Sequence, residues 1–406
     1  MSEVLIKTAR LLDPTSGLDE AGDLRISDGA ISESGPGLSP LSKGAEIIEA
    51  NGLCLAPGLV DLRVKTGEPG GEHRETLETA SRAAVAGGVT TMAIMPDTDP
   101  VIDDVALVEF IARRGAATGL NRIYPTGALT RGLDGAAMAE LGLMKDAGAL
   151  FFSHGDKGLE NASLMKRALA YAASLDATLC VRPMDTALAG AGIMNAGPLA
   201  ARMGLAGVGH DAEVVRGFRD IHLAERAGAR LILDQVSTPE LIALAAEARS
   251  RGADIHCTVA AHSLYFNEID VGDYLTYCKV MPPFRSEETR LALIEAVVRG
   301  DIAAVVSAHD PQPPEEKRLP FGEAEFGAAG LETTLVALLS LVHNGHVTLL
   351  DALKPVTIGP ATLAGLPVGT LAVGAPADII LFDPGKPWLC NREDLRSRST
   401  NSPFDG

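Results

Sequence analysis

Aromatic side chains make up only 4% of this chain, and Trp388 is its one tryptophan. Such scarcity leaves little from which to build the stacking platforms that single-stranded nucleic acids require. Basic runs are also missing. Lys and Arg number 35 against 53 Asp and Glu, and the net charge of -18 repels phosphate backbones and anionic lipid headgroups. No apolar stretch approaches the roughly 20 residues that span a bilayer. The N-terminal MSEVLIKTARLLD lacks the basic start and apolar core of a signal peptide. The expectation is a cytoplasmic protein that engages neither nucleic acid nor membrane. Cys54, Cys180, Cys257, Cys278 and Cys390 are scattered, odd in number and without a C-x-x-C pair, which argues against a disulfide framework or a structural zinc site.

What remains is an ordinary soluble composition, 46% hydrophobic and 22% charged over 406 residues, enough for a barrel with an appendage or for two medium domains. Periodicity decides between them. Eight near-continuous apolar runs follow one another: Leu53 to Val64, Val89 to Met95, Arg122 to Leu129, Ala149 to His154, Thr178 to Met184, Arg230 to Val236, Asp254 to Ala261 and Asp301 to His309. Runs of that kind suit strands buried on both faces. Stretches of helical period lie between them, from His73, Ser163 and Pro239 among others. Ser237 and Thr238 are placed to cap the helix that Pro239 opens. Eight strand-helix repeats predict a parallel (β/α)8 barrel over 55–365. Short strand-like runs over 1–54, and GTLAVGAPADIILFDP within 366–406, predict a small β-sandwich domain assembled from both termini.

The end of the first barrel run reads DLRVKTGEPG, with Asp61, Arg63, Lys65 and Gly67. A large class of metallohydrolases carries Asp-x-His-x-His there. A guanidinium has donors only and repels a cation, so Arg63 cannot replace an imidazole as a ligand. The segments APGLVDLRVKTGEPG, HRETLETASRAAVAGGVTTMAIMPDTDP, VMPPFRSEETR, FGEAEFGAAGLET, GTLAVGAPADIILFDP and RSRSTNSPFDG together resemble a dihydroorotase of the amidohydrolase superfamily, along nearly the whole chain. That resemblance implies a (β/α)8 TIM barrel with a small β-sandwich.

The resemblance also implies a site at the C-terminal ends of the barrel strands, and there this chain departs from it. Arg63 and Lys65 occupy the two His positions of strand 1. His154, Gly155 and Asp156 match the Asp-Asp-Gly run of strand 4, Arg182 stands for a His on strand 5, and Gln235 replaces the His of strand 6. On strand 8, Ala308 takes the place of the proton-handling Asp, followed by His309, Asp310 and Pro311. Gly67 stands where an Arg would clamp a substrate carboxylate, and Asp97 stands for an Asn. Zinc, implied by active relatives, is expected to be absent, because several N, S or anionic O ligands are needed to hold it.

These departures lead to the expectation of a catalytically inactive homologue. The resemblance to relatives stripped of the ligand set implies that it would serve as a structural subunit of an aspartate carbamoyltransferase assembly in pyrimidine biosynthesis, as a homo-dimer or larger hetero-oligomer. One rival is an atypical cyclic-amide hydrolase with one metal or none, using His154, His262, His309 and Asp310. A second is an anion-metabolite sensor built on Arg63, Lys65 and Arg182. Against the sensor stands a plainer reading, in which these cations fill the vacated volume and pair with carboxylates such as Asp61 or Asp185.

Overall fold

The computed structural model describes residues 2–406, and the eight predicted runs all become barrel strands. In chain order these are Leu59–Val64, Val89–Ile94, Arg122–Pro125 with its continuation Gly127–Ala128, Phe152–Ser153, Leu179–Val181, Leu231–Leu233, Ile255–Ala260 and Ala304–Val306. Neighbours pair in parallel from first to eighth. A bridge between Val64 and His309 closes the ring. The fold is therefore a (β/α)8 barrel carrying a β-sandwich.

Two layers of packing hold the barrel. Outward-facing residues such as Leu59, Val89, Leu179, Leu231 and Val305 join the surrounding helices in the main core. Inward-facing Val60, Leu62, Ala93, Phe151, Cys180, Ile232, Ala304 and Val306 fill the tube as an apolar floor. Helix Leu77–Ala86 starts four residues later than its pattern suggests, because Thr76 caps it by accepting from the Thr79 amide. The preceding residues 66–75 form a loop over the mouth. Helix Pro239–Ser250 is capped differently from expectation: Ser237 and Thr238 give their hydroxyls to the buried Glu213 carboxylate, and Thr238 makes no side-chain cap.

The predicted first run turned out to be two strands. Cys54–Pro57 belongs to the β unit and Leu59–Val64 to the barrel, and Gly58 separates them, where a Cβ would lie 2.1 Å from Thr90 Oγ1. In the β unit the long strand Glu3–Asp13 shifts register near Thr8, whose φ is 55°. Its first half pairs with Glu46–Glu49 and its second half with Cys54–Pro57, which in turn pairs with Ile379–Phe382. The sheet thereby wraps a core of Ile6, Leu11, Leu24, Ile31, Leu55 and Leu371. The segment 395–404, expected in this unit, packs instead on the barrel: Phe404 stacks on Tyr265 and Phe266 at 4.9 and 4.7 Å between ring centroids.

Candidate active site

At the C-terminal end of the barrel the inward surface changes from apolar to charged within one or two residues on three strands, at Leu62/Arg63, Cys180/Arg182 and Ile232/Asp234. The side chains converge. Asp156, just past the fourth strand, is the hub: it accepts from Arg63 and Lys65 in short contacts and lies 2.8 Å from Arg182 Nη2. Arg63 Nε approaches Asp234 Oδ2 to 2.6 Å, and since its N–H is not aimed at that oxygen the contact is one of charge rather than a hydrogen bond. Lys65 Nζ also meets Asp97 at 2.9 Å and Asp310 at 3.3 Å. Arg182 donates to Gln235 Oε1 at 3.1 Å.

Three cations thus face four carboxylates. Burial works to strip the proton from Lys65, but Asp156, Asp310 and Asp97 outweigh it and hold the ammonium charged well beyond its usual range. Burial pushes Asp156 up, yet Arg182, Lys65 and Arg63 hold it well below the ordinary carboxylate range. Asp310 goes the other way. Its own burial raises its pKa, Lys65 opposes, and the neighbouring Asp156 and Asp97 charges raise it further. One carboxylate locked ionised beside another inclined to hold a proton is an arrangement suited to proton transfer.

The expected pairing partners differ from those observed. Asp61 lies beneath the cluster, accepting from the Arg63 and Ser307 amides, and burial raises its pKa to about 6. Asp185 caps a short helix and sits 3.6 Å from Arg216. Asp234, the partner that the sequence reading missed, follows LIL directly. A lone acid closing an apolar strand was the available signal.

The histidines do not share one site. His154 hydrogen-bonds Thr130 Oγ1 at 3.0 Å and the Lys157 carbonyl at 3.1 Å, and burial lowers its pKa. His309 accepts from the Gly330 amide at 3.2 Å and turns its other nitrogen to Glu75, 3.4 Å away. Only His262 lines the inner mouth, beside Phe284, with its pKa pushed down to about 3 by burial and then by Arg182. Left-handed backbone marks the strand ends: Gly155 adopts φ of 63° without cost, whereas Gln235 and Ala308, at 54° and 53°, carry strain. Gly67 admits no side chain, because a Cβ there would stand 1.7 Å from the Gly71 carbonyl oxygen.

A zinc pair does not fit these residues. The Asp97, Asp156 and Asp310 oxygens that would serve as ligands converge on the Lys65 ammonium, Arg63 and Arg182 hold Asp156, and His154 and His309 are engaged elsewhere. An anion at the inner mouth would meet Arg63 and Arg182, already taken by Asp156. The inner mouth among Arg63, Asp156, Arg182 and Gln235 leaves about 20 Å³, room for about one water. Beyond it a cavity of about 290 Å³ opens, lined by Lys65, His73, Arg74, Asp97 and Asp310 among others. That space is large enough for a small ring, with Lys65, Asp310 and Arg74 among its lining.

Residues 52–241 match the family model described as dihydro-orotase-like. The chain is 39% identical over 403 residues to a dihydroorotase of Pelobacter propionicus, covering 99% of this chain and 95% of that protein. A dihydroorotase of Syntrophotalea carbinolica is likewise 39% identical, at 99% and 94% coverage. Among solved structures, the L-hydantoinase (dihydropyrimidinase) of Arthrobacter aurescens superposes with a TM-score of 0.88 at 27% identity, covering 100% of this chain and 92% of its own. These full-length relatives carry the names of enzymes, which overturns the expectation of a catalytically inactive structural subunit. That expectation rested on the missing histidine ligands, which full-length relatives named as enzymes outweigh.

Proposed function

The chain belongs to the dihydroorotase-like family of the amidohydrolase superfamily, and from that premise we propose that it hydrolyses a cyclic amide of the dihydroorotate class without a metal pair. The observation that carries this reading is the Lys65 ammonium held among Asp97, Asp156 and Asp310 at the inner wall of the 290 Å³ cavity. In this reading Arg74 at the rim, which gives only Nη2 to Glu316 at 3.1 Å, turns its remaining N–H groups to the substrate's carboxylate, a role that Gly67 cannot fill. The scissile carbonyl oxygen turns to Lys65, whose fixed charge stabilises the oxyanion as water adds to carbon. Asp310 removes the proton from that water. The C–N bond then breaks and Asp310 returns the proton to the departing nitrogen. A raised pKa suits Asp310 to both halves of this exchange.

The test is turnover of dihydroorotate and of N-carbamoylaspartate by protein purified with a chelator. Turnover that survives chelation, and drops about 10²- to 10⁴-fold in Asp310→Asn with unchanged circular dichroism, is the expected result. Absence of turnover for dihydroorotate, hydantoin and dihydrouracil, with or without added divalent metal, overturns the reading.

A further inference from the structure

The terminal stretch RSRSTNSPFDG takes no part in the chemistry just described, yet it lies on the mouth. Ser397 Oγ donates to Glu75, the Arg398 amide reaches Glu75 Oε1 at 3.1 Å, and Ser399 Oγ donates to the Arg74 carbonyl at 2.7 Å. The segment therefore grips the loop that presents Arg74. Three residues after Arg398, its grip on the other side is complete.

There Asn401, 2% exposed, uses its side-chain amide in both directions. Nδ2 donates to the carbonyls of Asp310 (3.2 Å) and Gly327 (3.1 Å), and Oδ1 accepts from the Gln312 amide at 3.0 Å. The Asn401 carbonyl accepts from the Ala329 amide at 3.1 Å. Gln312 in turn gives its side-chain amide to Asp310 Oδ1 at 3.0 Å. Gly327 lies so close to Asp310 that a Cβ on it would stand 2.7 Å from the carboxylate carbon. Phe404 on Tyr265 and Phe266 anchors the far end.

We propose that segment 395–404 is a strap that fixes two of the loops forming the outer cavity, and that Asn401 is the positioning residue for Asp310. An amide is the one short side chain that both donates to two carbonyls and accepts from an N–H at this place; an aspartate loses both donors and an alanine all three bonds. Because Asp310 sits on the loop that Asn401 clamps, a shift of that loop displaces the carboxylate from the reacting water. The effect on rate rests on the hydrolase reading above, and the effect on loop order does not.

The experiment compares wild type, Asn401→Ala and Ser397→Ala by steady-state kinetics on dihydroorotate and by hydrogen exchange of the full chain. For Asn401→Ala the expected results are kcat lower by up to about 100-fold with KM nearly unchanged, a displaced acid limb in the kcat/KM pH profile, and faster exchange over 310–328. For Ser397→Ala, exchange quickens over 66–76. If wild type turns over and Asn401→Ala keeps its kcat and pH profile, the positioning role is overturned. If wild type does not turn over, the hydrolase reading falls while exchange still decides the strap: unchanged protection of both loops in the two variants overturns it.

Discussion

The floor and the mouth of the barrel follow one another along the same strands, Leu62 beside Arg63, Cys180 two residues before Arg182 and Ile232 two before Asp234, yet they are held by opposite means. In the floor, Val60, Leu62, Phe151, Ile232 and Val306 interlock with no polar atom to satisfy. Each contact there is non-directional, and its strength follows the apolar area removed from water. In the mouth, Arg63 is just as buried but depends on Asp156 and Asp234 for its charge. Such a cluster is stable only while its members stay together, since desolvating each ion costs several kcal/mol. The floor therefore tolerates small changes in shape, and the mouth tolerates changes only in matched pairs.

That contrast can be broken by mutation. Asp156→Ala leaves Arg63, Lys65 and Arg182 short of their common partner and is expected to cost about 3 kcal/mol in urea unfolding. That is the lower end of the range for a broken buried pair, because a third of the Asp156 side chain is open to solvent. Phe151→Ala in the floor is expected to cost a similar 3–5 kcal/mol or so through its cavity, but with no salt dependence. A loss for Asp156→Ala that equals zero at every ionic strength removes the premise of an interdependent mouth.

Acid supplies a gentler probe. His262 is held neutral to about pH 3, whereas an unfolded histidine takes up its proton near 6.5. The folded pKa is depressed, so stability is fully present above pH 6.5 and is lost as pH falls toward 3, about 2 kcal/mol of it by pH 5. In His262→Gln the fall in unfolding free energy between pH 7 and pH 5 is expected to be shallower by about that amount; an unchanged slope refutes the assignment. The smallest effect is expected from Ile232→Val in the floor, roughly 0.5–1.5 kcal/mol by thermal unfolding with turnover unaltered.

The barrel was legible because eight buried strands write themselves as eight apolar runs. Its seams were less so. Gly58 divides a run whose two halves are equally apolar, and only the close approach to Thr90 explains the break. Segment 395–404 reads as another polar turn-rich stretch, since the partners of Ser397 and Asn401 lie about 320 and 90 residues back along the chain. At the site, residue types were readable and directions were not. His154 and His309 sit at strand ends as anticipated, but their rings face Thr130 and Glu75 rather than the mouth. Asp61 and Asp185 were nearer in sequence to the cations than Asp156 and Asp234, and proximity along the chain was the wrong guide. The expectation of an inactive structural subunit failed at a different level, since it rested on the missing ligand set and the full-length relatives carry the names of enzymes.

The position of Lys65 among three carboxylates has a consequence for how such a protein lives in a cell. A dissociable ion must be acquired after folding, can be exchanged for a competitor and is withdrawn when supply runs short. An ammonium on a four-carbon tether arrives with the polypeptide and leaves only by mutation. The positive charge that Lys65 brings to this mouth is thus set by translation.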